Sequence, residues 1–362
     1  MGCASCNKHD LIAEQNNEVK EEKYDTFRAA TNKEEDNENN LVEKNNDNND
    51  NNDNNNSKNN GFEFRNSESL LRGAPPQAGF EAKEENKENE TNQKITFEKD
   101  FSELMKNYPE LEDGIQVEIR NPQENDKDKT QYYGEWDINK NLRHGRGIQI
   151  WTDGAKYIGY WKNDKACGKG KLYHSDGDIY EGDWQNDKPN GYGVYTHKDG
   201  TKYEGQWKDD KQNGYGKEIW VDGALYEGHY EDGKKNGKGK FCWADGSTYE
   251  GEFANNNING KGIYIFADKR KYIGTWLNNK LEGRGIFTWP DGRRYEGEYK
   301  DDKKEGFGEF EWANGKKYKG YWKNGKQDGE GEFYFPSENK WKKGIWKNGK
   351  RVQWIENQQN YF

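Results

Sequence analysis

The chain has little of what an ordinary globular or membrane protein is built from. Only 29 % of its 362 residues are apolar, a fraction too low for a conventional aliphatic core. It contains no run of about 18 apolar residues and begins with polar ones, so we expect neither a membrane-spanning helix nor a secretory leader. Its 4 cysteines are too scattered for a disulfide framework, and a reducing compartment is expected.

Common catalytic, cofactor and metal motifs are also missing. Gly168-Lys169-Gly170 resembles a phosphate-binding loop, but Gly-x-Gly recurs nine times with Arg, Lys, Tyr, Phe or Glu in the middle, which excludes a shared catalytic role. His174 and His197 are interpreted as flat polar rings in an aromatic column, because no further ligand recurs beside them at metal-binding spacing. Cys167 stands where other repeats have Asn. We therefore predict no enzymatic activity, cofactor or metal site.

Charge is unevenly distributed. Residues 1–110 have 14 basic and 25 acidic residues, a net charge of −11, whereas the whole chain has −10. Residues 312–351 have 11 basic and 4 acidic residues, a net charge of +7. Polybasic surfaces are attracted to anionic lipid headgroups, although a solvated surface is an equally good interpretation. The candidate anionic-lipid patch comprises Lys316, Lys317, Lys319, Lys323, Lys326, Lys340, Lys342, Lys343, Lys347, Lys350 and Arg351.

Abundant aromatic residues and glycines follow a strict repeat. Tyrosines recur every 23 residues from Tyr157 to Tyr318, with Tyr132 at a spacing of 25. Each begins a Tyr-x-Gly-x-aromatic unit, followed by Gly-x-Gly and, in most repeats, by Asp-Gly or Asn-Gly. Self-similarity at this period is typical of a stacked repeat architecture.

Asp-Gly between two strand-like segments predicts a hairpin turn in which both residues have positive φ. A single hairpin is only marginally stable, so the hairpins have to stack. Stacking would align the tyrosines, the aromatics four residues later and a third column at Trp151 into aromatic ladders. The glycines are expected to form turns and to leave room for the rings of the next repeat.

These motifs resemble the MORN repeat, with its Tyr-x-Gly-x-Trp, Gly-x-Gly and Asp-Gly elements. The resemblance implies an all-β, elongated, single-layer solenoid of nine to ten stacked hairpins. We assign the repeats to residues 113–335 and a divergent capping repeat with a C-terminal tail to 336–362. Residues 95–112 are predicted to form a short helix packing on the array end, because apolar residues at 97, 101, 104, 105 and 108 share one helical face.

The first residues, MGCASCNK, resemble an acylation signal. Gly2 is suited to myristoylation, although Cys6 occupies the position where Ser or Thr is usual. Cys3 and Cys6 are candidates for palmitoylation, which would supply the second lipid that stable anchoring needs. We assign residues 1–9 to this signal and 10–94 to a disordered acidic tether. Within the tether, the less polar residues 61–80 are either a short docking motif or, as we favour, less biased linker.

Together these features predict a non-enzymatic scaffold, anchored by its acyl chains at the cytoplasmic face of a plasma, cortical or ciliary membrane. Unidentified proteins would bind along the array, a homodimer is left open, and nucleic acid is not expected. The alternatives are a module that binds phosphoinositides or other anionic lipids, and a regulatory subunit of a separate lipid kinase. Resemblance to the MORN family is compatible with all three.

Overall fold

A computed structural model describes residues 99–125 and 129–355. The acylation signal, the tether and residues 95–98 lie outside this part. Within it, residues 99–107 form an α-helix (α1), and the strands form one antiparallel sheet of 21, as the all-β prediction required. The strands are β1 (Val117–Glu124), β2 (Gln131–Asp137), β3 (Leu142–Ile150), β4 (Lys156–Lys162), β5 (Lys165–Tyr173), β6 (Ile179–Gln185), β7 (Lys188–Thr196), β8 (Lys202–Lys208), β9 (Lys211–Ile219), β10 (Leu225–Glu231), β11 (Lys234–Cys242), β12 (Thr248–Ala254), β13 (Asn257–Ile265), β14 (Lys271–Leu277), β15 (Lys280–Thr288), β16 (Arg294–Lys300), β17 (Lys303–Glu311), β18 (Lys317–Lys323), β19 (Lys326–Phe335), β20 (Lys340–Lys347) and β21 (Lys350–Trp354).

Two kinds of turn alternate, and the predicted turn chemistry was wrong. The tight turns are Asn-Asp and related dipeptides, such as Asn163 (φ 49°) and Asp164 (φ 66°), which join β4 to β5. Positive φ at both positions is the hairpin geometry that Asn and Asp tolerate. Asp153-Gly154 lies instead in the wider loop 151–155, where only the glycine has positive φ (90°). There the Ala155 amide donates to Asp153 Oδ1 at 3.0 Å.

Each tight turn is tied to the preceding hairpin. The Arg143 amide donates to Asp164 Oδ1 at 2.8 Å, and the Asp164 amide donates to the Arg143 carbonyl at 3.0 Å. Because the partners are 21 residues apart, these bonds set the register between repeats. The same side-chain bond is made by Asp187, Asn256, Asn279 and Asp302.

Tyrosines form the core of the sheet on one side, which we call the ladder face. Tyr157 and its seven successors at 23-residue intervals are at most 1 % exposed. The Tyr157 ring is edge-on to Trp161 at 5.2 Å and to Trp184 of the next repeat at 5.0 Å. Edge-to-face aromatic pairs each add about 0.5–1.5 kcal/mol beyond area burial. The ladder therefore joins adjacent repeats through the same ring that stabilises each one.

The two glycines of each Gly-x-Gly pair have different roles. Gly170 lies opposite Gly159, and a Cβ on Gly170 would come within 2.3 Å of the Tyr157 hydroxyl. The tyrosine ring thus covers a cross-strand glycine pair of its own unit rather than of the next repeat, and its hydroxyl donates to the Tyr160 carbonyl at 3.0 Å. Gly168 has positive φ (60°), which suits the local shift in register beside it.

One ion pair is buried within the ladder. Lys235 and Glu218 have side chains that are 2 % and 1 % exposed, and Lys235 Nζ lies 2.9 Å from Glu218 Oε2. The Tyr230 hydroxyl donates to the same oxygen at 2.9 Å. The ammonium also lies 4.9 Å from the Trp220 ring and 5.0 Å from the Tyr226 ring. A buried charge pair needs such additional partners to offset its desolvation.

Candidate interaction surface

Opposite the ladder, the side chains that flank the recurring glycines form a second surface, which we call the display face. In β5 and β6 it consists of two cross-strand ion pairs, Lys169–Asp183 at 2.7 Å and Lys171–Glu181 at 2.9 Å. Ion pairs this exposed contribute only about 0–1 kcal/mol each. The ladder residues recur from repeat to repeat, whereas the display-face residues vary. Variation on a regular framework suits recognition better than stability.

Helix α1 covers the display face over β2–β4. Phe101 and Leu104 are 6 % and 2 % exposed and pack with Ile148, which is fully buried. Tyr133 and Ile158 complete the apolar floor. The predicted helix is therefore present, and an amphipathic segment is docked on this face.

Polar contacts hold the segment that follows the helix. The Tyr160 hydroxyl donates to the Pro109 carbonyl at 2.7 Å, and Lys156 Nζ lies 2.8 Å from Asp100 at the other end of the helix. Arg146 donates to the Tyr108 carbonyl at 3.3 Å, and its hydrogen bond to Glu135 raises the pKa of the guanidinium. Burial raises the pKa of Tyr108. Tyr160 and Arg146 of the display face thus bind backbone carbonyls of this segment, and Lys156 binds a side chain of the helix.

Two exposed tyrosines lie on the display face beyond the helix. Tyr192 is 51 % exposed and Tyr215 is 48 % exposed. Each donates its hydroxyl to a glutamate on the neighbouring strand, Tyr192 to Glu204 at 2.8 Å and Tyr215 to Glu227 at 2.7 Å. Partial burial and the Glu204 hydrogen bond raise the pKa of Tyr192 to about 12. The rings are therefore held in place as neutral phenols.

An open groove of 720 Å³ lies beside Tyr192. Its wall includes the Gln206 side chain, which accepts a hydrogen bond from the Tyr215 amide at 2.9 Å. Two glycines with positive φ, Gly191 (112°) and Gly214 (92°), make room for the side chains of Asp183 and Gln206, which lie against them. Amide side chains and an aromatic ring give the groove both hydrogen-bonding groups and an apolar surface. The amide side chains that line it are those of Gln185, Asn190, Gln206 and Asn213.

A second exposed aromatic pair lies near the C-terminal end of the repeats. Phe307 and Tyr321 are 44 % and 53 % exposed, and their ring centroids are 5.6 Å apart. Sequence reasoning missed this pair and the tyrosines at 192 and 215. The sequence signal was an aromatic residue in the middle of Gly-x-Gly, where the other repeats have a charged residue, or directly after the glycine of Tyr-x-Gly, as at Tyr321. Strand alternation would have placed it opposite the ladder.

The structure divides the predicted anionic-lipid patch. Three of its lysines form ion pairs, Lys317–Glu311 at 3.5 Å, Lys343–Glu330 at 3.1 Å and Lys347–Asp328 at 3.2 Å. Lys319 lies opposite two glutamates, and Arg351 stacks on Trp354 at 4.3 Å. Lys316 and Lys342 are half-buried, and Lys340 is exposed at the start of β20. Carboxylates are therefore interleaved with most of the predicted cations.

Four lysines, including the Lys347 that pairs with Asp328, lie together around two tight turns. Lys323 and Lys326 lie opposite each other beside the turn at 324–325, and Lys347 and Lys350 do so at 348–349. The Gly349 amide donates to the Gln327 carbonyl at 2.8 Å, which places the two turns side by side. Both turns have glycine where most others have Asp or Asn. Like charges directly opposite one another are destabilising, so this cluster has a cost in stability.

The two histidines and the cysteine considered in the sequence analysis pack among neighbouring side chains of the sheet. Tyr195 lies between His174 and His197, at 5.8 and 4.9 Å, and His197 Nδ1 is 2.9 Å from Asp178. Burial lowers the pKa of His174 and raises that of Cys167.

In the described part of the chain, no three His, Cys, Asp or Glu side chains are grouped as metal ligands, and no helix is long and apolar enough to span a membrane. Gly2, Cys3 and Cys6 lie outside this part.

An antiparallel sheet of 23-residue hairpins, joined by a tyrosine ladder, defines a β-hairpin repeat protein. The chain belongs to the MORN-repeat family, since the model of that repeat matches nine segments that together cover more than half of it. The matched segments are 132–156, 157–179, 180–202, 203–225, 226–248, 249–269, 272–293, 295–317 and 318–340.

Comparison with solved structures finds more distant likenesses. The TCP10 domain of Danio rerio CPAP, solved with a peptide of Danio rerio STIL, is 13 % identical with a TM-score of 0.36, covering 60 % of this chain and 97 % of that one. The Drosophila melanogaster SAS-4 TCP domain, solved with a proline-rich motif of Ana2, is 12 % identical with a TM-score of 0.27, covering 41 % and 81 %. No curated protein sequence matches. The family assignment rests on the repeats.

Proposed function

We propose that the protein is a non-enzymatic scaffold whose display face binds protein partners. MORN repeats suggest a protein-interaction scaffold, and the observation that favours this role here is α1, a peptide segment docked on that face through Tyr160, Lys156 and an apolar floor. The recurring glycines support a structural rather than a catalytic role, since a tyrosine ring covers one of each Gly-x-Gly pair.

The proposal includes anchoring at the cytoplasmic face of a plasma, cortical or ciliary membrane. It rests on the MGCASCNK start, with myristate on Gly2 and palmitate on Cys3 and Cys6. The test is intact-mass spectrometry and membrane fractionation of protein from eukaryotic cells. We expect acyl masses on the natural chain, release of Gly2→Ala to the soluble fraction, and partial release of Cys3→Ser/Cys6→Ser. An unacylated Gly2 on membrane-bound protein would contradict the anchor.

Scaffolding is tested separately by proximity labelling in cells. Natural protein is compared with Tyr192→Ser/Tyr215→Ser and with the control Lys169→Gln/Lys171→Gln, which changes exposed residues of the same face. We expect the tyrosine variant to lose a defined set of neighbours while staying at the membrane. Identical neighbours for all three proteins would exclude a role for these tyrosines in partner binding.

A second candidate function is binding of anionic lipid by the four lysines around the turns at 324–325 and 348–349. Four cations lie at two adjacent turns beside a single carboxylate partner, Asp328 of Lys347, and each cation near an anionic surface gains about 1 kcal/mol. Gly2→Ala protein is floated with phosphatidylcholine vesicles with and without phosphatidylserine or phosphoinositide. Lys323→Gln/Lys326→Gln/Lys347→Gln/Lys350→Gln should abolish flotation, whereas the matched change at Lys162, Lys165, Lys208 and Lys211 should not. Equal flotation of both variants would exclude this site.

A further inference from the structure

We propose that the groove beside Tyr192 binds a segment of this same chain, residues 61–80, with Pro75 and Pro76 against the tyrosine ring. This intramolecular docking rests on the tyrosines that the scaffold proposal assigns to partner binding, but it is measured within one purified chain and does not depend on the lipid anchor. It would fold the N-terminal segment back onto the display face next to α1.

The rings of Tyr192 and Tyr215 are suited to proline. Both are about half exposed, and the hydroxyl of each is held by a glutamate on the adjacent strand. An aromatic ring fixed in this way binds with little further loss of rotamer freedom. Proline-rich segments, which keep an extended left-handed conformation, bind in grooves lined by such rings.

The polar wall of the groove suits an extended backbone. Asn190, Gln206 and Asn213 offer amide donors and acceptors along the groove. An extended proline-rich segment has no internal hydrogen bonds, so its carbonyls are available to these amides. On the same face, the Tyr160 hydroxyl already binds the carbonyl of a proline, Pro109, at 2.7 Å.

Chain length favours residues 61–80 over other parts of the tail. They are followed by residues 81–98, a linker of 18 residues that leads to α1. A flexible linker of this length has a root-mean-square span of roughly 21–25 Å. With strands about 4.8 Å apart, β7 and β9 lie about 14 and 24 Å from β4, which α1 covers. A linker whose natural span matches the distance gives the highest effective concentration, in the millimolar range.

Composition favours the same segment. Residues 61–80 include Phe62, Phe64 and Phe80, whereas residues 45–60 are almost entirely Asn, Asp, Lys and Ser. Two glutamates and two arginines leave the segment with no net charge. If the segment docks through rings and amides, its binding should depend only weakly on salt concentration. Binding of the acidic tail to lysines would instead weaken as salt is added.

The test is photocrosslinking in the full-length protein, with benzoylphenylalanine in place of Gln77 or, as a control, Ser57. At low micromolar concentration we expect a crosslink within one chain from position 77 to residues 190–215, and little from position 57. Tyr192→Ser/Tyr215→Ser and Pro75→Ser/Pro76→Ser should each lower the yield about tenfold. Phe307→Ser/Tyr321→Ser, the other exposed aromatic pair, should leave it unchanged.

Four outcomes would overturn the proposal. They are a crosslink between chains, a crosslink to other repeats, a yield unaffected by the tyrosine and proline variants, and loss of the crosslink in moderate salt. The tyrosine variant is checked by its thermal midpoint, which should match that of the natural protein because neither ring belongs to the ladder. A synthetic peptide of residues 61–80, added in excess, should compete with the crosslink.

Discussion

The ladder face and the display face are two sides of the same strands, yet they differ in exposure and in how much their residues vary between repeats. On the ladder face, the eight tyrosines from Tyr157 to Tyr318 are essentially inaccessible. On the display face, the residue between the paired glycines is arginine, lysine, tyrosine, phenylalanine or glutamate. A close-packed surface tolerates few changes of volume, whereas a solvated one tolerates many. Strand alternation alone therefore separates the close-packed side of this repeat from the solvated side.

Ion pairs show the same difference. Lys235–Glu218 on the ladder face is nearly inaccessible, whereas Lys171–Glu181 on the display face has side chains that are 31 % and 61 % exposed, both with contacts of 2.9 Å. Equal distances do not imply equal energies, because removing one partner of a buried pair leaves an uncompensated charge. In water the remaining charge is solvated, and little is lost.

The largest expected effect is that of Tyr272→Ala on the ladder face. Tyr272 is fully buried, contacts Trp276 and Tyr299 edge-on at 5.2 and 5.4 Å, and donates to the Thr275 carbonyl. Loss of a large buried ring costs about 3–5 kcal/mol, and we expect the upper end. Native-state hydrogen exchange at β14 and β15 measures the local opening free energy. Tyr321→Ala, on the display face, should change it by less than about 0.5 kcal/mol at its own strands.

Lys235→Met should lower the opening free energy of β10 and β11 by about 3–4 kcal/mol, because Glu218 would be left buried without its cation. Lys171→Met should lower that of β5 by no more than about 1 kcal/mol. Hydrogen exchange of both variants under one set of conditions compares the two faces directly. Similar losses of opening free energy in both variants would refute the distinction between buried and exposed ion pairs.

The next repeat provides a matched control for this experiment. Phe241 and Ile258 occupy the positions equivalent to Glu218 and Lys235, and both are buried. Glu218→Phe/Lys235→Ile would copy them into the charged repeat. Replacement of a buried ion pair by packed apolar residues is often neutral or stabilising, so we expect the double variant to recover the stability that Lys235→Met loses.

Leu104→Ala should release α1 without disturbing the ladder. The side chain is 2 % exposed and packs on fully buried Ile148. We expect the local opening free energy to fall by about 2–3 kcal/mol, and only for the amides of residues 99–107 and of β2–β4, which α1 covers. Circular dichroism would show loss of the helical signal while the aromatic signal of the ladder is kept. A fall in protection throughout β14–β18 would show that helix docking supports the whole array.

Asp210→Asn should give the smallest effect. Asp210 follows the tight-turn pattern, but its partner is Pro189, which has no amide to donate, and burial raises the pKa of its carboxyl. The charged form is thus disfavoured in the folded protein. The aspartate is least destabilising at low pH and becomes more so as pH rises from its ordinary pKa of 3.8 through the raised value. Thermal unfolding should show the Asn variant to be more stable at neutral pH, by about 0.5 kcal/mol, and the two proteins should become equally stable in acid.

Much of the fold was predictable because it repeats. The spacing of Tyr157 and its successors was enough to predict hairpins, stacking and an aromatic ladder. Turn type was not, since Asp153-Gly154 satisfies the rule for a two-residue hairpin yet lies in a five-residue loop. Asn163-Asp164 recurs with the same period, but two residues that both need positive φ are recognised less readily when neither is glycine.

The interaction surface was harder to predict. Strand alternation places Tyr192 on the display face, but its exposure depends on tertiary packing, because Tyr160 on the same face is buried under the segment that follows α1. The apolar spacing of Phe101 and Leu104 was enough to predict α1, but not the part of the sheet that it covers. The predicted lysine patch stays a prediction, but the sequence did not show that Lys317 and Lys343 have carboxylate partners on neighbouring strands.

The sequence by itself determined the repeat, its period and the residues of the ladder, because burial of one aromatic residue every 23 positions leaves an unambiguous pattern. Only the tertiary structure decided which glycine lies beneath a ring, which turn joins which strands and which tyrosines face solvent. It also decided that Lys235 and Glu218 meet. All of these depend on cross-strand register, which is a relation between distant residues and has no local signature.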